Sequence, residues 1–278
     1  MSRLTPQDIE HVKAMLKKHD EELRAQTGTG LLGIAAEAAG LSESQLAAMV
    51  AETRIGVVPL TTGLGIISGF SDTVQAILSF VGADAFVTAA TDVAGINEAM
   101  AAGVKQIFMA DDLTCSLMDL QTRCTADNGI ATGRGFGAAL ALAAKDIKGK
   151  KVVVLGAGPV GRSAVYFFLS KGAEVVLYDK NPVCLARMKD VPGVTLAADG
   201  SEALAAGNLY FEATTARDTI TMADMSEDTI ASAPGIPLGI SDDAMKKYGQ
   251  QVIQDPLELG VASMLSCLLA KAAGKALK

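Results

Sequence analysis

The chain has 278 residues, half of them hydrophobic, no Trp, and a formal net charge of −7. That length accommodates one large or two ordinary domains, and the apolar content supplies a full core, which excludes global disorder. The acidic balance argues against nucleic acid as a partner, because displacing counterions needs a basic face, but it suits a cleft that attracts a cationic substrate.

The opening stretch, MSRLTPQDIEHVKAMLKKHDEELR, is charged throughout and reads as neither a signal peptide nor a membrane anchor. Within it, Thr5-Pro6-Gln7-Asp8 spells a helix start: a capping hydroxyl, Pro at the first helical position, and an acid near the positive helix end. Ile9, Val12, Leu16 and Leu23 follow near helical spacing, and further helices are predicted over 30–39 and 42–52. Then the period changes. A continuous apolar run over 55–60 predicts a buried strand, 61–68 a Gly/Thr-rich loop, and 70–82 a helix. A second strand over 85–89, a helix over 92–102 closed by Gly103, and a third strand over 106–110 complete a small parallel sheet.

Asp127-Asn128-Gly129 is a turn signal. A long Gly- and Ala-rich helix over 132–145 bridges to a second β/α series, which begins with a strand at 151–155. Its later strands fall at 174–178, 194–196, 209–213, 230–232 and 252–253, and a last helix over 257–277 packs back across the molecule. The apolar run over 259–270 is too short to span a bilayer. No membrane partner is expected, and the localisation expected is cytoplasmic.

Cys115, Cys124, Cys184 and Cys267 form no C-x-x-C pair, so neither a zinc ribbon nor a dithiol redox site is spelled out. The only histidines, His11 and His19, both fall on the first helix pattern. This argues against a Ser-His-Asp site or a His-rich metal site in the body of the chain. No metal is expected, and proton transfer falls to carboxylates, hydroxyls, amides, water or a cofactor.

Residues 152–161 read VVVLGAGPVG. A strand of β-branched residues runs into Gly156-Ala157-Gly158-Pro159-Val160-Gly161, a helix follows, and the strand EVVLYD ends at Asp179. In that context G-x-G-x-x-G is a dinucleotide fingerprint. Gly156 permits the tight turn, Gly158 lets a pyrophosphate approach the backbone, and Gly161 lets the helix pack closely on its strand. The free N–H groups and dipole of the helix stabilise the phosphate charge. Asp179 is placed to accept from the adenosine ribose and would repel a 2′-phosphate, which favours NAD over NADP, although Lys180 partly offsets that repulsion. Thr214 and Ala216 after the fourth strand, and Pro234 after the fifth, fall where such sheets bind ligands. The fold class is therefore α/β with two domains. Residues 1–131 form an N-terminal helical plus small parallel-sheet domain, 132–148 the bridging helix, and 149–278 a C-terminal Rossmann domain.

The same strand-end rule selects 60–63, 89–92 and 110–112 in the first domain, which should converge on one edge facing the second. Adjacent carboxylates point in different directions. Asp111 is expected in the cleft, and Asp112 is expected to cap a helix whose early turn holds 113–117. Asp255-Pro256-Leu257-Glu258 reads as a capping box with Pro at the first helical position.

Across nearly the whole chain the sequence resembles the pyrrolysine synthase (PylD) family. The segments that carry the resemblance are LTPQDIE, GVVPLTTGLGIISGFSDT, MADDLT, VVVLGAGPVG, FEATTARDTI, APGIPLGIS and DPLELGVASML. The resemblance implies an NAD-dependent oxidation of the terminal amine of L-lysine-Nε-3R-methyl-D-ornithine, with ammonia release and ring closure to pyrrolysine. It puts substrate contacts on Leu4, Thr62, Asp111 and Asn128, makes Asp111 the catalytic position, and lays the N-terminal helix over the cleft as a lid. The chain departs from a family member at three places: Thr62 replaces Ser, Leu64 replaces Asn, and Asp255 replaces Glu. Two alternatives remain open at this point: another two-domain NAD(P)-dependent dehydrogenase of the shikimate or methylenetetrahydrofolate type, and a non-catalytic NAD sensor. Oligomeric state is also open, a homodimer paired through apolar helices among the options.

Overall fold

The protein is represented by a computed structural model that describes residues 4–277. Thr5 starts the first helix, α1 (Pro6–Ile9), and both its N–H (2.6 Å) and its hydroxyl (2.7 Å) donate to Asp8. In α2 (Val12–Thr27), Val12, Leu16, Asp20 and Leu23 are buried. The short helices α3 (Leu31–Ala39) and α4 (Glu43–Ala51) follow, the second capped by Ser42, whose hydroxyl accepts from Gln45 N–H.

In the first domain, β1 (Arg54–Val58) pairs in parallel with β2 (Asp84–Val87) and β3 (Gln106–Ala110). The crossovers are α5 (Phe70–Phe80) and α6 (Asp92–Ala101). The sheet then departs from the expected parallel form. The segment predicted as a helix at 113–117 turns back as β4 (Cys115–Asp119), antiparallel to β3, and β5 (Thr125–Asp127) adds a second antiparallel edge. The physical reason lies at two acids. Asp111 accepts from Leu113 and Thr114 N–H, closing a tight turn instead of starting a helix. Asp119 is buried at the far end of β4, where it accepts from Gln106 and from the backbone of Gln121 and Thr122. The strand order is β2-β1-β3-β4-β5.

The bridging helix α7 (Asn128–Ala143) starts earlier than expected. The Asp127-Asn128-Gly129 turn signal is instead a helix start: the Asp127 carboxylate caps α7 by accepting from Ile130 N–H (3.0 Å). Helix α7 packs between the domains against α3 and two later helices, α8 (Pro159–Ser170) and α12 (Glu258–Ala272). Its glycines allow this approach: a Cβ on Gly133 would lie 2.2 Å from Val160 O.

The second domain begins with β6 (Lys151–Leu155), α8 and β7 (Glu174–Tyr178), then α9 (Pro182–Ala186), β8 (Val194–Leu196) and α10 (Gly200–Ala205). It continues through β9 (Leu209–Glu212), β10 (Ile230–Ser232), α11 (Asp242–Tyr248) and β11 (Val252–Ile253) to α12. All six strands are parallel, in the order β11-β10-β9-β6-β7-β8. The order reverses between β6 and β9, the switch point of a Rossmann sheet. Edge-on ring contacts of Phe168 with Phe167 and Phe211 fill the layer beneath α8. Helix α12 is buried along most of its length and returns onto α3, α5, β4 and β5 of the first domain. Among the described residues no helix is long and apolar enough to cross a membrane.

Candidate active site

The loop after β6 has the geometry the glycines of the fingerprint require. Gly156 adopts φ +99°, and a Cβ there would lie 2.6 Å from Ala213 O. A Cβ on Gly161 would lie 1.8 Å from Gly156 O, so only hydrogen allows α8 to close on its strand. Gly158 differs: a Cβ on it would meet nothing within 4 Å. It caps α8, with Pro159 first in the helix and Val160 next, so the open space lies against the first-turn N–H groups that a helix cannot satisfy internally. This cradle fits the diphosphate of a dinucleotide.

Around it the loop is held by side chains. Ala157 N–H donates to Asp179 Oδ2 (2.7 Å), and Asn181 N–H donates to Asp179 Oδ1 (2.8 Å). Each carboxylate oxygen keeps capacity for a second donor such as a ribose hydroxyl. Lys180, beside it, is exposed. Arg162 donates to Ala157 O (2.7 Å), bracing the loop from inside the helix. At the end of β9 the fully buried Glu212, a residue not singled out from the sequence, accepts from Thr214 N–H (2.9 Å). Burial pushes its carboxyl up, against the pull of those donors. Thr214 in turn accepts from Ala216 N–H (3.2 Å). Glu212 thus shapes the loop on which Thr214 and Ala216 lie.

Leu4, Thr62, Asp111 and Asn128, distant in sequence, line one cleft of about 950 Å³ of open space, together with Phe70, Phe108 and Leu257. The strand ends are tied to one another. Thr61 donates to Asp92 through both N–H and hydroxyl, and Leu64 N–H donates to Asp112 Oδ2 (2.7 Å). The segment at 89–92 therefore braces the rim. Asp112 also differs from expectation: no helix follows it to cap, and both Asp111 and Asp112 line the cleft. The two backbone donors hold the Asp111 carboxyl below the usual carboxylate range, so it is an anion suited to holding a cation or a water. Cys115 lies at the cleft floor with its thiol pushed up to about 12, by burial first and then by the Asp127 and Asp111 charges. It packs as a neutral side chain and is no nucleophile.

A second hollow adjoins the first and shares Leu4, Asn128 and Leu257 with it. Its remaining walls include Val160, Pro234 and Ile236 of the second domain, together with Asp255. The cleft therefore runs from Asp111 to the dinucleotide loop. Asp255 also departs from its expected role. Helix α12 begins at Glu258, so Pro256 precedes it, and Asp255 accepts from Leu259 N–H (3.2 Å) without closing a capping box. Its side chain, 1% exposed, lies 3.4 Å from His19 Nε2. His19 is not among the candidate site residues selected from the sequence. The signal was its position: Val12, Leu16, His19 and Leu23 share one helical stripe, and a histidine on a buried stripe requires a partner.

Fold and cleft together define a two-domain α/β protein of the dehydrogenase type, with its candidate site between a first-domain edge and a Rossmann sheet. The family model described as "Pyrrolysine biosynthesis protein PylD, N-terminal domain" matches residues 8–123, and "Alanine dehydrogenase/PNT, C-terminal domain" matches 130–235. Pyrrolysine synthase from Methanosarcina acetivorans is 34% identical over 97% of this chain and 100% of its own length. The Methanosarcina barkeri protein of the same name is 35% identical, over 97% and 98%. The chain belongs to the pyrrolysine synthase family. Among solved structures, shikimate dehydrogenase from Aquifex aeolicus shares the fold at a TM-score of 0.53 and 15% identity, covering 79% of this chain and 91% of that one. Quinate dehydrogenase from Corynebacterium glutamicum, in complex with NAD, shares it at 0.51 and 14%, covering 79% and 93%. The bifunctional methylenetetrahydrofolate dehydrogenase/cyclohydrolase from Campylobacter jejuni shares it at 0.52 and 15%, covering 95% and 97%.

Proposed function

We propose that this chain is an NAD-dependent amine dehydrogenase that oxidises the terminal amine of L-lysine-Nε-3R-methyl-D-ornithine, with ammonia release and ring closure to pyrrolysine. The observation that carries the reading is the continuity of the cleft, from the Asp111 carboxylate at one end to Val160 and Pro234 beside the dinucleotide loop at the other. The pyrrolysine synthase relatives support the isopeptide as the substrate, and the setting proposed is cytoplasmic. The partner is a small molecule, and a homodimer is an arrangement the reading accommodates.

Gly156, Ala157, Gly158, Pro159, Val160 and Gly161 would cradle the diphosphate, and Asp179, with Lys180 beside it, the adenosine ribose. When bound, NAD supplies the hydride acceptor. The chain itself handles charge and water. An alkyl ammonium with a pKa of about 10.4 must lose its proton first, at a cost of roughly 4–5 kcal/mol at neutral pH. Asp111 alone stabilises the charged amine and so opposes this loss. Its role is to hold the amine in place and to position a water through which the proton leaves. Closure of the N-terminal segment at Leu4 removes bulk water, which favours the neutral amine. Asn128, at the start of α7, both donates and accepts, which suits the amide or amino-acid end of an isopeptide. Thr62, which also lines the cleft, offers a hydroxyl.

The test is a stopped assay of purified protein with NAD and the isopeptide. Reduced cofactor together with a product of pyrrolysine mass is the expected result. Firm NAD binding without turnover overturns the proposal.

A further inference from the structure

The acid at the cofactor end of the cleft does not stand alone. Asp255 lines the hollow that Val160 and Pro234 also wall. Behind it lie Glu258, the first residue of α12, and His19 of α2, an element far away in sequence. Asp255 is 6% and Glu258 3% exposed, and the His19 side chain is 16% exposed. The His19 Nε2 to Asp255 Oδ2 distance is 3.4 Å, a charge contact too poorly aligned to form a good hydrogen bond. Nε2 has no other partner among the described residues. On its opposite side His19 Nδ1 lies 3.9 Å from Glu22 Oε2. A neutral imidazole would leave the buried Asp255 with the Leu259 N–H but no opposite charge beside it, a costly state in a low-dielectric wall.

We propose that His19 is a positioning residue of this site: protonated, it fixes Asp255 as an oriented carboxylate on the cofactor side of the cleft, so that the substrate amine passes between two anions, Asp111 and Asp255. This rests on the amine-oxidation reading above.

The charges acting on the imidazole are Asp255, Glu258 and Glu22. The helices packed on α2, namely α5 and α7, contribute Asp72 and Arg134, and neither is among the groups that perturb it. Burial pulls the imidazole's pKa down, but the contact with Asp255 and the three carboxylate charges outweigh it and raise it to about 9. Glu258 goes up to about 7, through burial first and the Asp255 charge second. At neutral pH His19 therefore carries its proton beside Asp255, while Glu258 sits near its own midpoint. Placing the cation on α2 also couples this acid to the helix that continues the Leu4 segment. A site assembled this way has an anion at its far wall only while α2 is docked.

The chain has two histidines, and His11 is exposed. His11→Gln therefore leaves one imidazole for a proton or carbon NMR titration without touching the cleft. His19 is expected to remain protonated through pH 7 and to titrate near 9, and Asp255→Asn, made in the same background, is expected to bring it down by at least one pH unit. In steady-state assays with NAD and the isopeptide, His19→Gln is expected to lower kcat at least tenfold near neutral pH, to leave NAD affinity within twofold, and to displace the alkaline limb of the kcat profile. Asp255→Glu, which keeps the carboxylate, is expected to retain activity that Asp255→Asn loses. A His19 titration near 6.5, or a His19→Gln enzyme with the parental kcat profile, overturns the proposal. The titration needs no turnover. If the isopeptide proves not to be a substrate, a value near 9 still supports the ion pair and a value near 6.5 still refutes it.

Discussion

Replacing Gly158 by Ala separates cofactor recognition from folding. Gly158 has φ −67° and ψ −175°, values open to any residue, and a methyl there would meet no atom within 4 Å. Two small effects oppose each other in the free protein. Ala narrows the unfolded ensemble, a gain of about 0.4–1 kcal/mol. It is also a poorer N-cap than Gly, a loss on the order of 0.5–1 kcal/mol. The melting temperature of the free protein should thus stay within about 3 °C of the parent, since 1 kcal/mol corresponds to roughly 2–4 °C in a chain of this class. The diphosphate needs the same space. Displacing it from the first turn of α8 removes one or two charge-assisted N–H···O bonds, each worth about 1.5–3 kcal/mol. NAD affinity should fall at least about tenfold. Thermal melts with and without NAD read both quantities, because a ligand that binds only the folded state raises Tm by mass action. Gly161→Ala is the control of opposite sense. Its methyl would lie 1.8 Å from Gly156 O, so the free protein itself should melt early. A Gly158→Ala protein that melts like the parent and binds NAD equally well would refute the placement of the diphosphate at α8.

Asp111→Asn keeps an oxygen to accept from Leu113 and Thr114 N–H, so the β3–β4 turn survives while the charge is lost. Steady-state kinetics should show kcat/KM for the isopeptide falling about a hundredfold, roughly 2.7 kcal/mol, with NAD affinity unchanged. Asp179→Ser removes the anion proposed to face the adenosine ribose, and titrations with both cofactors should show the proposed preference for NAD over NADP narrowing at least about tenfold. Stability should fall with pH through the His19 unit. The folded chain keeps the imidazole proton up to about 9, whereas the ordinary value is 6.5, so between these limits the folded state binds the extra proton and loses stability as pH rises. Glu258, raised from 4.5 to about 7, acts in the same direction over its own lower range. Denaturant titrations should show the advantage of the parent over His19→Gln shrinking by about 1–3 kcal/mol from pH 6.5 to 9.

Much of this architecture was legible because burial writes itself into the sequence. The strands β1, β3, β6, β7 and β9 are built on apolar runs with a polar residue only at one end, and the fingerprint marks where the second sheet begins. The strand-end rule pointed to Asp111 and to the segment holding Thr62, family resemblance added Leu4 and Asn128, and in the structure the four line one cavity. The antiparallel hairpin was hidden because its buried pattern includes an acid, Asp119, whose partners Gln106 and Thr122 lie outside its own strand. The start of α7 was misplaced because Asp-Asn-Gly serves equally as a turn and as a helix cap, and only tertiary context selects the cap. His19 was passed over because its partner Asp255 lies at the opposite end of the chain. Long-range charge pairing leaves no local pattern beyond a polar residue on an apolar stripe.

An isopeptide carrying two deuterons on the carbon that bears the terminal amine, and nitrogen-15 in that amine, reports directly whether the hydride leaves that carbon. Amine oxidation followed by ring closure should put one deuteron in the reduced cofactor and labelled ammonia in solution, and leave a cyclised product that keeps the other deuteron and none of the label. A product that retains both deuterons or the labelled nitrogen, or a reduced cofactor free of deuterium, would contradict it.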